Sequence, residues 1–168
     1  MASGWNLRHL YHTVVNVRDL DESIAFYKLL GFEVLNDRRH VEWPDFVAVN
    51  FGMKRAKGRG VLMVLPSDPD GPMIDLIEWQ EPNATFPSSE LPRDDVPRII
   101  AFRTKNVHAA YDDLSKKGIT FTRDMWSHDD LGIVGVCCCY DPNGNLIELI
   151  ELKPGQRHSR AESLVKQK

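Results

Sequence analysis

Leu20, Ile24, Tyr27, Gly31 and Phe32 are answered, at a constant offset of 87 residues, by Val107, Tyr111, Leu114, Gly118 and Ile119. The matched stretch carries a pattern as well as a spacing. An apolar strand leads into a helix with apolar residues at i, i+4 and i+7, a glycine stops it, and a second strand follows. A gap-free match of this kind over about 25 residues marks an internal repeat, and a repeat restricts the chain to two copies of one supersecondary unit.

In the first copy, residues 10–17 alternate as a strand, with Leu10, His12, Val14 and Asn16 on one face. Asp19 or Asp21 is placed to cap the next helix, and Glu22 falls in its first turn, where the dipole favours acid. Residues 32–40 read as the following strand. The second copy offers strands at 99–104 and 119–123 around a helix at 108–117. The later part of each copy repeats too. Residues 60–66, the turn Asp68-Pro69-Asp70-Gly71 and residues 73–78 are mirrored by 133–140, the turn Asp141-Pro142-Asn143-Gly144 and 146–151. Asp141 and Pro142 suit a type I turn, and Gly144 can take the positive φ that closes a hairpin. Each copy is therefore β-α-β-β-β, and in this register Asp75 falls on Glu148 and Glu78 on Glu151.

The domain organisation follows from that register. Residues 1–8 are a leader, 9–80 the first module with an insertion at 41–59, and 81–96 a linker containing Pro82, Pro87 and Pro92. Residues 97–152 form the second module, and 153–168 a polar C-terminal tail, expected to be mobile from residue 158 onward. Within the insertion, 44–51 reads as a short helix or turn and 52–59 as an exposed loop whose basic run, Lys54-Arg55-Ala56-Lys57, is a solvated face.

The last strand carries the most informative residue. Alternation puts Leu146, Glu148 and Ile150 on one face and Ile147, Leu149 and Glu151 on the other. Glu151 lies near the strand end, within reach of water. Glu148 is central, and a carboxylate on an apolar face is costly unless paired or bound to a metal. The plain alternative is a solvated sheet face.

Composition excludes some classes. A formal net charge of −3 gives no reason to expect nucleic acid or an anionic membrane as partner. No apolar run approaches the ~18 residues of a membrane span, and the first residues lack a signal-peptide pattern. Cys137, Cys138 and Cys139 are adjacent, so they form neither a spaced disulfide framework nor a CxxC zinc site. They read as three small apolar strand residues in a protein of the reducing cytoplasm. No phosphate-cradling glycine loop, serine elbow or HExxH motif is present.

Two stretches carry a family likeness: His-Thr-Val-Val-Asn-Val-Arg-Asp-Leu-Asp-Glu-Ser-Ile-Ala-Phe-Tyr at 12–27 and Asp-Pro-Asn-Gly-Asn-Leu-Ile-Glu-Leu at 141–149. With the repeat, they make residues 9–152 resemble the vicinal oxygen chelate superfamily of glyoxalase I, methylmalonyl-CoA epimerase, extradiol dioxygenases and the bleomycin- and fosfomycin-resistance proteins. The resemblance implies an α+β fold: two tandem β-α-β-β-β modules whose mixed sheets form an open cup around a central site. It also implies one ligand position on each of four strands. Residue by residue these are His12, Asp75, Ile99 and Glu148. His12 and Glu148 match the family pattern, and Asp75 is a shorter carboxylate than is usual there. Ile99 departs from it, standing where a second histidine is expected and offering no donor. Two readings stay open: one divalent ion (Ni, Zn, Mn, Mg or Fe) on His12, Asp75 and Glu148, or a hydrogen-bonded His12–Glu148 pair in a metal-free cup.

One histidine disfavours extradiol dioxygen chemistry, since His108 and His128 could substitute only if folded inward. The chemistries implied by the resemblance are then two. One is a metal-assisted lyase, isomerase or epimerase acting on a small oxygenated carbonyl compound, with Glu148 or Asp75 moving the proton. The other is a metal-free binding or sequestering protein of the drug-resistance kind. Candidate substrate contacts are Asn16 on the His12 face, Arg103 and Ile99 on their shared face, and Trp79 on the Asp75 face. Trp126 and Tyr140, near the cup, and His128, in a loop at 127–130, complete them. Open sheet edges and the resemblance together imply a homodimer.

Overall fold

A computed structural model describes residues 9–87 and 96–154, with Leu131 as backbone only. The leader 1–8, residues 88–95 of the linker and the tail from residue 155 lie outside the described residues. The elements run β1 (His12–Asn16), α1 (Leu20–Leu29), β2 (Glu33–Asp37), α2 (Phe46–Asn50), β3 (Lys57–Val64) and β4 (Met73–Glu81). They continue as β5 (Ile99–Arg103), α3 (Val107–Lys116), β6 (Trp126–His128), β7 (Ile133–Tyr140) and β8 (Leu146–Leu152), with a 3₁₀ turn at Asp129–Leu131.

The strands form two open four-stranded sheets, ordered β1-β4-β3-β2 and β5-β8-β7-β6. Both are mixed in the same way. β1 lies parallel to β4, and β5 to β8, while the other neighbours are antiparallel. The two-module α+β architecture expected from the repeat is the one observed. The chain divides into two compact units, Met1–Ser89 with Asp141–Gly144, and Glu90–Tyr140 with Asn145–Lys168.

In the first unit, α1 starts at Asp19, whose side chain accepts from the Glu22 N–H at 3.0 Å, and it ends ahead of Gly31 at φ 93°. Between these stops it buries Leu20, Ser23, Ile24, Phe26 and Tyr27. The sheet supplies Val15, Val61, Met63, Ile74 and Leu76 to the same core, each at most 3% exposed. Each such aliphatic or aromatic side chain contributes about 1.5–3 kcal/mol on leaving water. The second unit repeats the arrangement with Val107 and Leu114 of α3 buried, along with Cys137, Cys139, Ile147 and Leu149 of β7 and β8. Asn106 caps α3 from the left-handed region, accepting from the Ala109 N–H at 3.1 Å.

The repeat extends to a polar detail. Glu78 accepts from the N–H of Leu20 at 3.1 Å, and Glu151 from the N–H of Val107 at 2.7 Å. Both carboxylates stand at the positive end of their module's helix, satisfying a donor the helix leaves open. Glu151 was expected at a strand end in water; it is instead half-buried as this cap.

The turn Asp141–Gly144 does more than close its hairpin. Asp141 accepts the Tyr27 hydroxyl at 3.0 Å and the Asn143 N–H at 2.8 Å. Asn143 accepts the Arg18 N–H at 2.8 Å and donates to Ser23 Oγ at 3.0 Å. Asp141 and Asn143 are both buried, so their partners are obligatory.

Three sequence expectations are corrected. The expected strand at 119–123 is a single bridge from Phe121 to Cys139, and the strand proper is β6. The step from Phe121 to Trp126 is longer than the step from Cys139 to Val136 that it faces, so the excess bends out and the ladder breaks. His128 accordingly ends a strand rather than sitting in a loop. The expected loop 52–59 becomes β3 from Lys57 onward, with Ala56 buried. The basic side chains of its run, Lys54, Arg55 and Lys57, are exposed as expected, with Arg55 pairing to Glu81 at 2.7 Å on the surface.

Candidate functional site

Strand alternation gives the first sheet two faces. Ile74, Leu76 and Glu78 look toward α1, leaving Asp75, Ile77 and Trp79 on the far face. Parallel pairing sets Val14 beside Asp75 and Asn16 beside Ile77, which brings His12, Val14 and Asn16 onto that far face too. Of the expected site residues, His12, Asn16, Asp75 and Trp79 therefore share one surface. Trp79 donates its indole N–H to Asn16 Oδ1 at 2.9 Å. Asn16 thus orients an aromatic wall.

Asp75 is 6% exposed and ion-paired: Arg38 Nη2 lies 2.5 Å from its Oδ1. Arg38 follows directly on β2 and is anchored by its own N–H to the Gly60 carbonyl at 2.9 Å. Gly60, on β3, lies beside the pair: a β-carbon there would stand 3.5 Å from Arg38 Nη2 and 3.7 Å from Asp75 Oδ1, in ordinary van der Waals contact.

Above this pair lies a pocket of about 240 Å³. Arg38, Asp75, Gly60 and Ile77 floor it, and the insertion 41–59 walls it with Val41, Trp43, Pro44, Val47 and Phe51. Trp43 meets Trp79 edge to face at 5.2 Å and lies against Gly58, where a β-carbon would approach its ring to 2.9 Å. Arg38, Trp43, Phe51 and Gly58 were not among the expected site residues. Trp43 precedes and Phe51 ends the short stretch 44–51, read as a helix or turn too brief for its periodicity to assign a face. Arg38 was hidden by a register shift between Val34 and Asn36 of β2, which breaks the alternation that would have assigned its face.

In the second unit, Ile99, Ala101 and Arg103 pair with Leu146, Glu148 and Ile150, and all six share the face away from α3. Ile99 is 58% exposed, and Arg103 is exposed as well. Glu148 is half-buried and stands across from Cys138 on β7. Burial, and then the Glu148 carboxylate, push the Cys138 thiol above its ordinary range. None of the three cysteines is in a disulfide. Trp126 and His128 meet edge to face at 5.4 Å on β6, an edge strand. Tyr140 ends β7, half-buried.

The donors present do not suit a divalent ion held in the manner the resemblance implies. Ile99 supplies nothing, and the Asp75 carboxylate already has a cation on it. A second, doubly charged one beside Arg38 would meet like-charge repulsion in a poorly solvated place. Among the described residues, no group of three or more His, Cys, Asp or Glu side chains is gathered to hold a metal. His12 is the exception to this pattern, because its Nδ1 is buried without a hydrogen-bond partner. No described helix is long and apolar enough to cross a membrane.

Comparison with known proteins places this geometry. A structure of a glyoxalase family protein from Bacillus cereus shares 20% identity, with TM-score 0.72, covering 91% of this chain and 99% of that one. A glyoxalase/dioxygenase from Nostoc punctiforme gives 23% identity and TM-score 0.63, covering 90% and 96%. A mutant of the fosfomycin resistance protein FosX from Listeria monocytogenes, complexed with Mn(II) and 1S,2S-dihydroxypropylphosphonic acid, gives 16% and 0.61, covering 92% and 100%. At these identities the likeness concerns the fold. No curated protein matches the chain. The family model for the Glyoxalase/Bleomycin resistance protein/Dioxygenase superfamily matches residues 9–149, and the chain belongs to that superfamily.

Proposed function

We propose that this protein is a metal-independent small-molecule-binding member of its superfamily, taking its ligand in the pocket over Arg38 and Asp75. The ion pair between those two residues carries the reading. It places a guanidinium on the carboxylate that a metal ion would need, beneath a pocket with mostly apolar walls. The walls exclude water from one side of a ligand, and the Arg38 fork orients its polar end. Binding or sequestration of a small organic molecule needs nothing more.

One observation favours a second reading, a metal-assisted lyase, isomerase or epimerase acting on a small oxygenated carbonyl compound. His12 Nδ1 is buried and unpartnered, a condition that costs stability unless something absent from the chain satisfies it.

Calorimetric titration of untagged protein with nickel, manganese, zinc and ferrous ions separates the two. The binding reading expects no stoichiometric uptake by the wild type. It also expects Arg38→Met, which frees Asp75, to raise metal affinity by roughly tenfold or more. One equivalent of metal in the wild type, lost in both His12→Ala and Asp75→Ala, would overturn it in favour of the enzyme.

A further inference from the structure

The chemistry of the pocket's occupant can be taken further, an inference that rests on the reading of a small-molecule site over Arg38. We infer that the ligand is a compact monocarboxylic acid with a flat, aromatic body, its carboxylate on Arg38 and its ring between Trp43 and Phe51.

Charge comes first. The Asp75 side chain is 9% exposed and that of Arg38 is 39% exposed, so the charge a ligand meets is the guanidinium. Arg38 donates through Nη2 to Asp75, its Nε is buried, and its Nη1 is left to face a ligand. A planar fork with donors to spare matches a carboxylate, which accepts two parallel N–H bonds. Among the described residues no second cation lines the pocket, and Asp75 already offsets the one present. One cation, already shared with Asp75, disfavours phosphates and other polyanions; what remains for an acid is the directional guanidinium donors.

The walls select the rest of the molecule. Val41, Pro44, Val47 and Ile77 are aliphatic, and Trp43 and Phe51 are aromatic. Among the described residues no hydroxyl or amide side chain lines the space, so a sugar or peptide would give up many hydrogen bonds to water and regain few, all of them near Arg38, Asp75 and Trp43. An aromatic ring loses nothing there and gains edge and face contacts. The volume, about 240 Å³, exceeds the ~150 Å³ cavity that admits benzene. It holds a ring with a short acid arm.

The pocket is also built before the ligand arrives. Trp43 is held from behind by the bare backbone of Gly58 and from the side by Trp79, itself fixed by Asn16. Gly58 is thus a positioning residue that sets the pocket's width through Trp43. An alanine there would press a methyl group onto the Trp43 ring at 2.9–3.0 Å, and the ring would have to move.

The test is a titration of the full chain, followed by tryptophan fluorescence and calorimetry, with phenylacetate, phenylacetamide and benzylamine. Phenylacetate should bind about tenfold or more tighter than its uncharged amide, and benzylamine weakest of all. Arg38→Met should erase the preference for acid over amide, and Arg38→Lys, which keeps the charge but not the fork, should retain part of it. Gly58→Ala should weaken acid and amide together by severalfold and leave their ratio unchanged. Circular dichroism identifies a variant that fails to fold, and Arg38→Lys then carries the comparison. The inference is overturned if the amide binds as well as the acid, if the preference survives Arg38→Met, or if no probe binds at millimolar concentration. The metal reading fails separately: a protein that takes up stoichiometric metal yet prefers phenylacetate through Arg38 refutes metal independence and upholds the acid site.

Discussion

Single residues in this protein are best understood through the partner each one meets. Tyr27 is fully buried, and its hydroxyl donates to the buried Asp141 carboxylate at 3.0 Å. Removing that donor leaves a desolvated acid short of one hydrogen bond, so Tyr27→Phe is expected to lower stability by about 1–3 kcal/mol in urea denaturation. A neutral result would mean that water takes the hydroxyl's place. The cysteines follow the same logic. Burial, and then the neighbouring Cys138, raise the Cys137 thiol to about 11, and Cys138 is raised by burial and Glu148. Since the thiolate is the reactive form, DTNB at pH 8 should modify the native protein far more slowly than the unfolded chain. Glu148→Gln removes a negative charge from beside Cys138 and should speed its modification. An unchanged rate would show that the carboxylate does not act on the thiol.

At the scale of elements, the two modules use one device with one difference. Glu78 and Glu151 each cap the first N–H of their helix, but Glu78 also pairs with Arg59, for which the second module has Gly135 in the corresponding register. Glu151→Ala is therefore expected to cost about 0.5–2 kcal/mol, as caps do. Glu78→Ala should cost roughly 1 kcal/mol more, because it also strands a partly buried guanidinium. At roughly 2–4 °C per kcal/mol for a chain of this size, thermal melts resolve the two. Equal shifts would mean that the Arg59 pair contributes nothing measurable.

The whole molecule is constrained by how its units share the chain. The first unit includes Asp141–Gly144, four residues drawn from between two strands of the second. Neither unit can lose its structure without pulling on the other's backbone, so calorimetry should record one unfolding transition. Two well-separated transitions would refute this coupling. Each sheet also ends in two edge strands, β1 and β2 in one and β5 and β6 in the other. Unpaired edges invite association, and a homodimer is the expected state. Sedimentation showing only a 19.2 kDa species at micromolar concentration would count against it.

Much of this architecture was legible in the sequence because periodicity is a local record of what faces water. The 87-residue repeat yielded two β-α-β-β-β modules, and the alternation of β4 and β8 placed Asp75 and Glu148 on the faces where they are found. The caps at Asp19 and the stops at Gly31 and Gly118 were equally local, written within a turn of the helix end they serve. Partnership across the chain was not. Asp75 was expected as a metal ligand, and only the tertiary structure set Arg38 against it, past a register shift that alternation cannot see. The same holds for Tyr27 with Asp141, for Trp43 on Gly58, and for the strand that forms at 126–128 instead of 119–123. A residue's own neighbours in sequence decide its face; which distant residue meets it there depends on strand order, bulges and the space a missing side chain leaves.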